Sequence, residues 1–273
     1  MARDGVFVSR RGPGEGVGFK AQMHKERHER IRLDRLLAER GLAETRAKAQ
    51  AIILAGEVLV DEQKVEKCGV LVSAAAKIRL LGEPLKYVSR GGVKLEGALA
   101  QFGVSATGKT CLDIGASTGG FTDCLLQHGA HRVFALDVGT NQLDWKLRCD
   151  SRVVSLEKTN ARNLRLDQFG ARVGLATMDV SFISATLILP MLPPLLEMPA
   201  EVLVLVKPQF EVGKGQVGKG GIVRDPALRR EAVEKVARKL RELGFVDLAQ
   251  AQSVLPGMEG NIEYFLHAVW RGI

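Results

Sequence analysis

Asp113-Ile114-Gly115-Ala116-Ser117-Thr118-Gly119-Gly120-Phe121 decides the reading of this chain. The stretch follows a short apolar run and opens a helical segment. A second acid, Asp137, closes the next apolar run, Val133-Phe134-Ala135-Leu136, 24 residues after Asp113. A glycine-rich turn after a first strand lets a ligand approach the backbone, and an acid ending the second strand can bind ribose hydroxyls. The spacing is not the G-x-G-x-x-G of dinucleotide enzymes. Three residues separate Gly115 from the Gly119-Gly120 pair, and Asp113 stands inside the motif. That form suits a nucleoside without a pyrophosphate, and S-adenosylmethionine (SAM) is the leading candidate.

Outward from that turn, apolar strands and helical stretches alternate. Strands are expected near 110–115, 132–138, 152–156, 174–180, 201–207, 245–252 and 263–270, and helices near 93–102, 119–128, 141–147, 184–196 and 226–243. Such alternation predicts a doubly wound α/β domain, placed at 89–273. Ligands of such a sheet sit beyond the carboxyl ends of its parallel strands. Asp113, Asp137, Asp179 and Lys207 fall at or near such ends, the last directly after Val202-Leu203-Val204-Leu205-Val206. Glu263 begins the final strand; if that strand runs antiparallel, its start lies on the same edge. Lys94, on the helix entering the first strand, can reach that edge. The sheet thus gathers two lysines and two acids beside the cofactor pocket.

Other motifs fall away. Gly103-Val104-Ser105-Ala106-Thr107-Gly108-Lys109-Thr110 matches G-x-x-x-x-G-K-[ST], but a helix precedes it and a strand follows, the reverse of what a phosphate loop needs. After Gly213–Lys219, Gly220 stands where a hydroxyl residue is required. His24 and His28, and His128 and His131, are spaced like metal pairs without a third ligand, so no metal is expected.

The net charge of +8 and pI near 9.5 point to a polyanionic partner. Residues 1–50 hold 12 Lys/Arg against 7 Asp/Glu, most of the excess. Cys68, Cys111, Cys124 and Cys149 form no C-x-x-C pair, so neither a zinc knuckle nor a disulfide framework is expected, and reduced cytosolic thiols fit. The N-terminus has no apolar signal core, and the protein is expected in the cytoplasm without a membrane partner. The longest apolar region, Leu187 to Val206, is broken by Pro190, Pro193, Pro194, Glu197, Pro199 and Glu201 and cannot span a bilayer as one helix.

Residues 1–28 read as a mobile basic arm. Leu33, Leu36 and Leu37 then recur at helical spacing among Arg32, Arg35 and Arg40, and Gly41 stops the helix. Thr45 caps a second helix through Leu54, and Val58–Val60 and Lys77–Leu81 read as short strands. Residues 29–82 resemble the S-four-type RNA-binding domain. The resemblance rests on Arg32-Leu33-Asp34-Arg35-Leu36-Leu37-Ala38-Glu39-Arg40-Gly41-Leu42, Thr45-Arg46, Ala49-Gln50, Ile53, Ala55-Gly56 and Val58-Leu59-Val60. One departure is Asp61-Glu62-Gln63, where an Asn-Gly-like turn is expected. Basic side chains on two adjacent helices can follow folded RNA phosphates. Arg32, Arg35, Arg40, Arg46 and Lys48 are the candidate RNA contacts there, with Arg90 beyond a short linker at 83–88.

From residue 31 to 273 the chain is similar to the TlyA family, whose members carry both hemolysin and ribosomal RNA 2′-O-methyltransferase names. Its larger domain resembles the FtsJ-like methyltransferases. The most specific strings are Tyr87 to Leu95, Asp113 to Phe121, Asp179-Val180-Ser181-Phe182-Ile183-Ser184, Lys207-Pro208-Gln209-Phe210-Glu211, Val217 to Asp225 and Gly260-Asn261-Ile262-Glu263. The resemblance implies a Rossmann-like class I SAM-dependent domain, mostly parallel with an antiparallel final strand, joined to a small α+β RNA-binding domain. It implies 2′-O-methylation of ribosomal RNA within ribosomal subunits, at cytidine in the large subunit and in some members also the small. The family's Lys-Asp-Lys-Glu tetrad maps onto Lys94, Asp179, Lys207 and Glu263. The candidate cofactor residues are Asp113, Gly115, Ser117, Thr118, Gly119, Gly120, Phe121, Asp137, Asn160 and Asp179.

A ribose 2′-hydroxyl is a poor nucleophile, so such an enzyme must orient it and help remove its proton. A unit charge ~6 Å away at an effective dielectric of ~20 is worth about 2.8 kcal/mol, roughly 2 pK units. A lysine near a sulfonium and a second lysine is thus pushed towards its neutral form. Lys207 is assigned as the base, with Lys94, Asp179 and Glu263 as orienting partners. Two rivals stand beside this reading. A membrane-lysing toxin would have no use for the glycine-rich pocket, and a non-catalytic RNA-binding or ribosome-assembly factor would bind SAM without transferring methyl.

Overall fold

Apolar runs that end in charged residues become parallel strands here, and the charges collect where the strands stop. The computed structural model describes residues 30–81, 86–257 and 259–272. The arm assigned to 1–28, with His24 and His28, and part of the 83–88 linker lie outside them. The chain divides into two compact units, Met1–Glu83 and Pro84–Ile273.

The small unit runs β1 (Arg30–Arg32), α1 (Leu33–Glu39), α2 (Arg46–Leu54), β2 (Val58–Val60), β3 (Gln63–Lys64), β4 (Leu71–Ser73) and β5 (Ile78–Leu80). Leu33, Leu36 and Leu37 bury against Ala49, Ile53 and Val58, as their helical spacing requires. The Thr45 hydroxyl accepts the Lys48 N–H at 3.1 Å and starts α2. β1 pairs with β4, and β3, β2 and β5 form a second sheet. Asp61 and Glu62 form the two-residue turn between β2 and β3, with φ of 50° and 63°. Side-chain bonds hold that left-handed backbone without glycine. The Asp61 carboxylate accepts the Lys77 N–H at 2.9 Å, and Glu62 pairs with Arg79.

The large unit runs α3 (Arg90–Phe102), β6 (Thr110–Ile114), α4 (Gly120–Gln127), β7 (Arg132–Leu136), α5 (Trp145–Arg148), β8 (Val153–Leu156), β9 (Val173–Met178), β10 (Leu196–Val206), α6 (Pro208–Glu211), α7 (Pro226–Glu242), β11 (Val246–Gln252) and β12 (Tyr264–Trp270). One seven-stranded sheet has the order β11-β12-β10-β9-β6-β7-β8. Strands β8, β7, β6, β9 and β10 are parallel, and β12 is antiparallel to both its neighbours. Alternation along β10 sends Val202, Val204 and Val206 into the core beneath α7, and Leu203 and Leu205 into the core beneath α3 and α4. The register sets Val206 opposite Tyr264, and Met178 opposite both Val204 and Ile114. Asp179, Lys207 and Glu263 therefore leave the sheet on one edge.

Two expected helices differ. Residues 184–196 form three single 3₁₀ turns, Ala185–Leu187, Leu189–Met191 and Pro193–Leu195. Pro190, Pro193 and Pro194 lack the N–H groups a continuous α-helix needs. The stretch 141–147 bends, with Asn141 at φ 55°, and turns helical only after Asp144, which caps α5 by accepting the Lys146 N–H. α3 precedes and β6 follows Gly103–Thr110, so the phosphate-loop match has the reversed context. Among the described residues no helix is long and apolar enough to cross a membrane, and the four cysteines are free thiols.

Candidate active site

The turn after β6 is built by one close approach. Gly115 has φ +85°, and a Cβ there would stand 2.3 Å from the Asp179 carbonyl oxygen. Only glycine lets the loop pass over the end of β9. Ser117 follows at φ 49° and is exposed, as is Thr118. The half-buried Asp137 accepts the Ser117 N–H on Oδ2 at 2.9 Å and the Gly139 N–H on Oδ1 at 2.8 Å. In a phosphate-binding loop such an N–H faces the ligand. Here it is engaged by a carboxylate, which repels phosphate and can still accept from hydroxyls. The loop therefore fits a nucleoside bearing a free ribose diol, the chemistry of SAM, and not a pyrophosphate. Asn160, exposed beyond β8, lies on the same edge of the sheet.

Four sequence candidates play other parts. Asp113 has no exposed surface and lies beneath the turn rather than in the pocket wall. Its Oδ2 accepts the Thr122 hydroxyl at 2.7 Å and its Oδ1 the Thr177 hydroxyl at 3.3 Å, tying α4 and β9 to β6. Burial pushes its carboxyl pKa up to about 7; the Thr122 hydroxyl pulls it down and the nearby Asp179 charge adds to the rise. Phe121 is buried and stacks on Phe265 at 6.0 Å, so it belongs to the core. Gly119 and Gly120 are buried as well and let α4 pack closely.

The tetrad assembles as two ion pairs. The Lys94 amine donates to Glu263 Oε2 at 2.5 Å, with side chains 11% and 2% exposed. The Lys207 amine lies 2.7 Å from Asp179 Oδ1, a charge contact off the line of a hydrogen bond, and donates to the Ser181 hydroxyl at 2.8 Å. A charged residue closing the most apolar strand is costly unless it meets a polar site; Lys207 meets one. Glu263 has room because residue 257 is glycine: a Cβ there would stand 2.6 Å from its Oε1.

Reasoning from sequence gave no individual role to Ser181, Phe182, Phe210, Glu211 and Asn261. Phe182 is 91% exposed, at φ 64°, and lies 5.2 Å from the Phe210 ring. Both line a cavity of about 490 Å³ with Ile183, Ser184, Leu187, Gln209, Val212 and Val217. Asn261, buried two residues before Glu263, accepts the Val223 N–H and donates to the Gly221 carbonyl, latching the glycine-rich 218–223 loop. An apolar residue beside the first acid, as in Asp179-Val180-Ser181-Phe182, gives no signal of its own.

The basic candidates all have partners. Asp34, without exposed surface, lies shallow beneath half-exposed arginines. It accepts from Arg32 Nε and Nη2, the Arg35 N–H, Arg46 Nε and Gln50 Nε2, all within 2.8–3.0 Å. The Arg32 bond above all holds its carboxyl well below the usual range. Arg32 and Arg46 therefore brace the fold. Arg40 donates to the Ala74 and Ala76 carbonyls, Arg35 pairs with Glu39 and Lys48 with Glu44. In the large unit Arg90 reaches the Pro256 carbonyl at 3.5 Å. Among the described residues no cluster of three or more metal-ligating side chains occurs.

Known proteins resemble this chain along most of its length. The FtsJ-like methyltransferase model matches residues 87–270, and the S4 domain model matches 31–78. The 16S/23S rRNA (cytidine-2′-O)-methyltransferase TlyA of Mycobacterium tuberculosis is 49% identical over 238 residues, covering 87% of this chain and 89% of that protein. A protein of Brachyspira hyodysenteriae named Hemolysin A is 46% identical over 240 residues, covering 88% of this chain and all of its own. A solved hemolysin-named structure from Streptococcus thermophilus superposes with a TM-score of 0.70 at 44% identity, covering 89% of both chains. With a Gly115 turn, an Asp137 acid and two lysine–carboxylate pairs on one sheet edge, the chain belongs to the FtsJ-like methyltransferases, in the TlyA family that joins this fold to an S4 domain.

Proposed function

We propose that the protein is a SAM-dependent ribosomal RNA 2′-O-methyltransferase acting on cytidine. The carrying observation is the Lys207–Asp179 pair beside the Gly115 turn, with Lys94–Glu263 on the same edge. Gly115, Ser117, Thr118, Asp137 and Asn160 would hold the cofactor, Asp137 accepting from its ribose hydroxyls. When bound, SAM supplies an activated methyl group on a positively charged sulfur. Lys207 takes the proton of the 2′-hydroxyl as that oxygen is methylated, and Asp179 stabilises the ammonium that results. Glu263 fixes Lys94 on the same edge of the sheet. The exposed Phe182 ring offers a face on which an unstacked base can lie. The S4 domain supplies RNA affinity, and ribosomal subunits as substrate imply work in the cytoplasm.

The deciding assay is transfer of label from tritiated SAM to isolated ribosomal subunits, followed by mapping of the modified nucleotide. Label on a ribose 2′-oxygen of cytidine is the expected result. Subunits that bind the protein yet gain no label would leave a non-catalytic assembly factor, and label on a base would remove the 2′-hydroxyl chemistry.

A further inference from the structure

Lys207 precedes and Glu211 ends the four-residue helix α6, and both grip the loop that follows β9. At one end the Lys207 amine meets Asp179 and Ser181. At the other, the Ser184 hydroxyl donates to Glu211 Oε2 at 2.5 Å and the Ala185 N–H to Glu211 Oε1 at 2.7 Å. Glu211 is buried, and Lys235 of α7 completes its surroundings, 3.2 Å from Oε2 and bonded to the Glu211 carbonyl. Between the two grips stands Phe182, a bulky residue held at φ 64°. Such a backbone persists only where its flanks over-determine it.

We infer that Ser181 and Glu211 are positioning residues for Lys207: Ser181 aims the amine, and Glu211 holds the loop that carries Ser181. This rests on the 2′-O-methyltransferase reading above. A neutral lysine amine has two N–H bonds and one lone pair. One N–H is fixed on Ser181, and the Asp179 charge, in contact but off the line of a hydrogen bond, repels the lone pair from its side, so the lone pair has a single direction left. Proton abstraction requires that direction to meet the hydroxyl. With Asp179 alone, the amine rotates about its carbon–nitrogen bond and the lone pair sweeps a cone. After the step, Ser181 accepts from the ammonium, so it also favours the protonated form.

The test uses the full chain with Ser181→Ala, Ser181→Thr and Glu211→Gln. Single-turnover methyl transfer to ribosomal subunits is measured across pH, alongside SAM affinity and thermal midpoint. Ser181→Ala is expected to lower the maximal rate about tenfold with SAM affinity unchanged. Its rising limb should move to lower pH by about half a unit, because the ammonium loses an acceptor. Ser181→Thr restores both. Glu211→Gln is expected to shift the profile the same way in protein that remains folded. A Ser181→Ala enzyme with wild-type rate and pH profile overturns the inference, and so does a Glu211→Gln enzyme that changes only its thermal midpoint. Wild-type protein that transfers no methyl group overturns the methyltransferase reading as well, which separates the two failures.

Discussion

Asp34 in the small unit and Asp113 in the large one both lack exposed surface, yet their carboxyls are driven in opposite directions. Asp34 meets two guanidinium groups, an amide and a backbone N–H, so its charge is compensated. Asp113 meets two neutral hydroxyls, which are too little against full burial. The difference extends to the two units. Charges in the small unit, rich in arginine, largely brace one another. Those on the edge of the large sheet are fewer and stand in pairs beside a loop and a cavity. A sequence shows both kinds as charged residues beside apolar ones. The topology around them tells support from chemistry.

The largest effect is expected where a charge serves chemistry. Lys207→Ala should leave folding and SAM affinity near wild type and lower single-turnover methyl transfer ~10²–10⁴-fold. Asp179→Ala should follow it, having lost the partner of that amine. A Lys207→Ala enzyme retaining more than about a tenth of the wild-type rate would show that the proton leaves by another path.

Where a charge serves as support, the loss should be in stability. Asp34→Ala leaves Arg32, Arg46 and Gln50 without their acceptor. The arginines are half-exposed and can turn to water, so the cost is set at about 1–3 kcal/mol. Urea unfolding followed in the small unit should show it while SAM binding by the large unit persists. The pH dependence has a definite sign. A carboxyl held below its ordinary value stabilises the fold above pH ~4, and that contribution is lost as pH falls further. Equal acid sensitivity of the wild type and Asp34→Ala would contradict the bracing role.

The bracing also changes how RNA binding must be tested. Reversing Arg32 or Arg46 would set a carboxylate against Asp34 and unfold the region under study. Arg35 and Lys48, paired only with the exposed side chains Glu39 and Glu44, are the cleaner targets. Arg35→Glu with Lys48→Glu should weaken binding to ribosomal RNA about tenfold and lower the salt slope by roughly 0.7–0.9 for each phosphate that is no longer neutralised. Unchanged affinity and slope would move the RNA anchor elsewhere.

Much of this was legible before the structure. The sheet edge could be read because Asp137, Asp179 and Lys207 each end an apolar run, and Glu263 starts one whose antiparallel direction the structure shows. The pairing itself could not, since Lys94 meets Glu263 across 169 positions of sequence. Strands β1, β3 and β4, with the sequences RIR, QK and LVS, lack the unbroken apolar run that marks the equally short β2. Phe121 resembles a pocket residue because it follows the glycines, but the helical turn that Gly119 starts carries it into the core. Glu211 closes the Lys207–Glu211 string, yet only tertiary packing reveals the two N-terminal donors of the 185–187 turn on its carboxylate.

The smallest effect belongs to Asp113 and carries the opposite sign to that of Asp34. A carboxyl whose pKa rises to about 7 on folding favours the folded state most fully below its ordinary pKa, and the contribution is lost as pH climbs towards 7. Asp113→Asn removes the titration while keeping the shape. Its side-chain oxygen can still accept the Thr122 hydroxyl. Its amide can donate to Thr177 Oγ1, which in turn donates to the Leu112 carbonyl. At pH 8 the variant should therefore be more stable than wild type by about 1 kcal/mol, a rise of roughly 2–4 °C in the thermal midpoint of a unit this size. At pH 5 the gain should shrink or reverse, since the wild-type carboxyl is then mostly protonated. Calorimetric scans of both proteins at the two pH values decide the matter. A gain at pH 5 equal to that at pH 8 would mean that Asp113 is not the group whose ionisation strains the fold, and the contrast with Asp34 would fall with it.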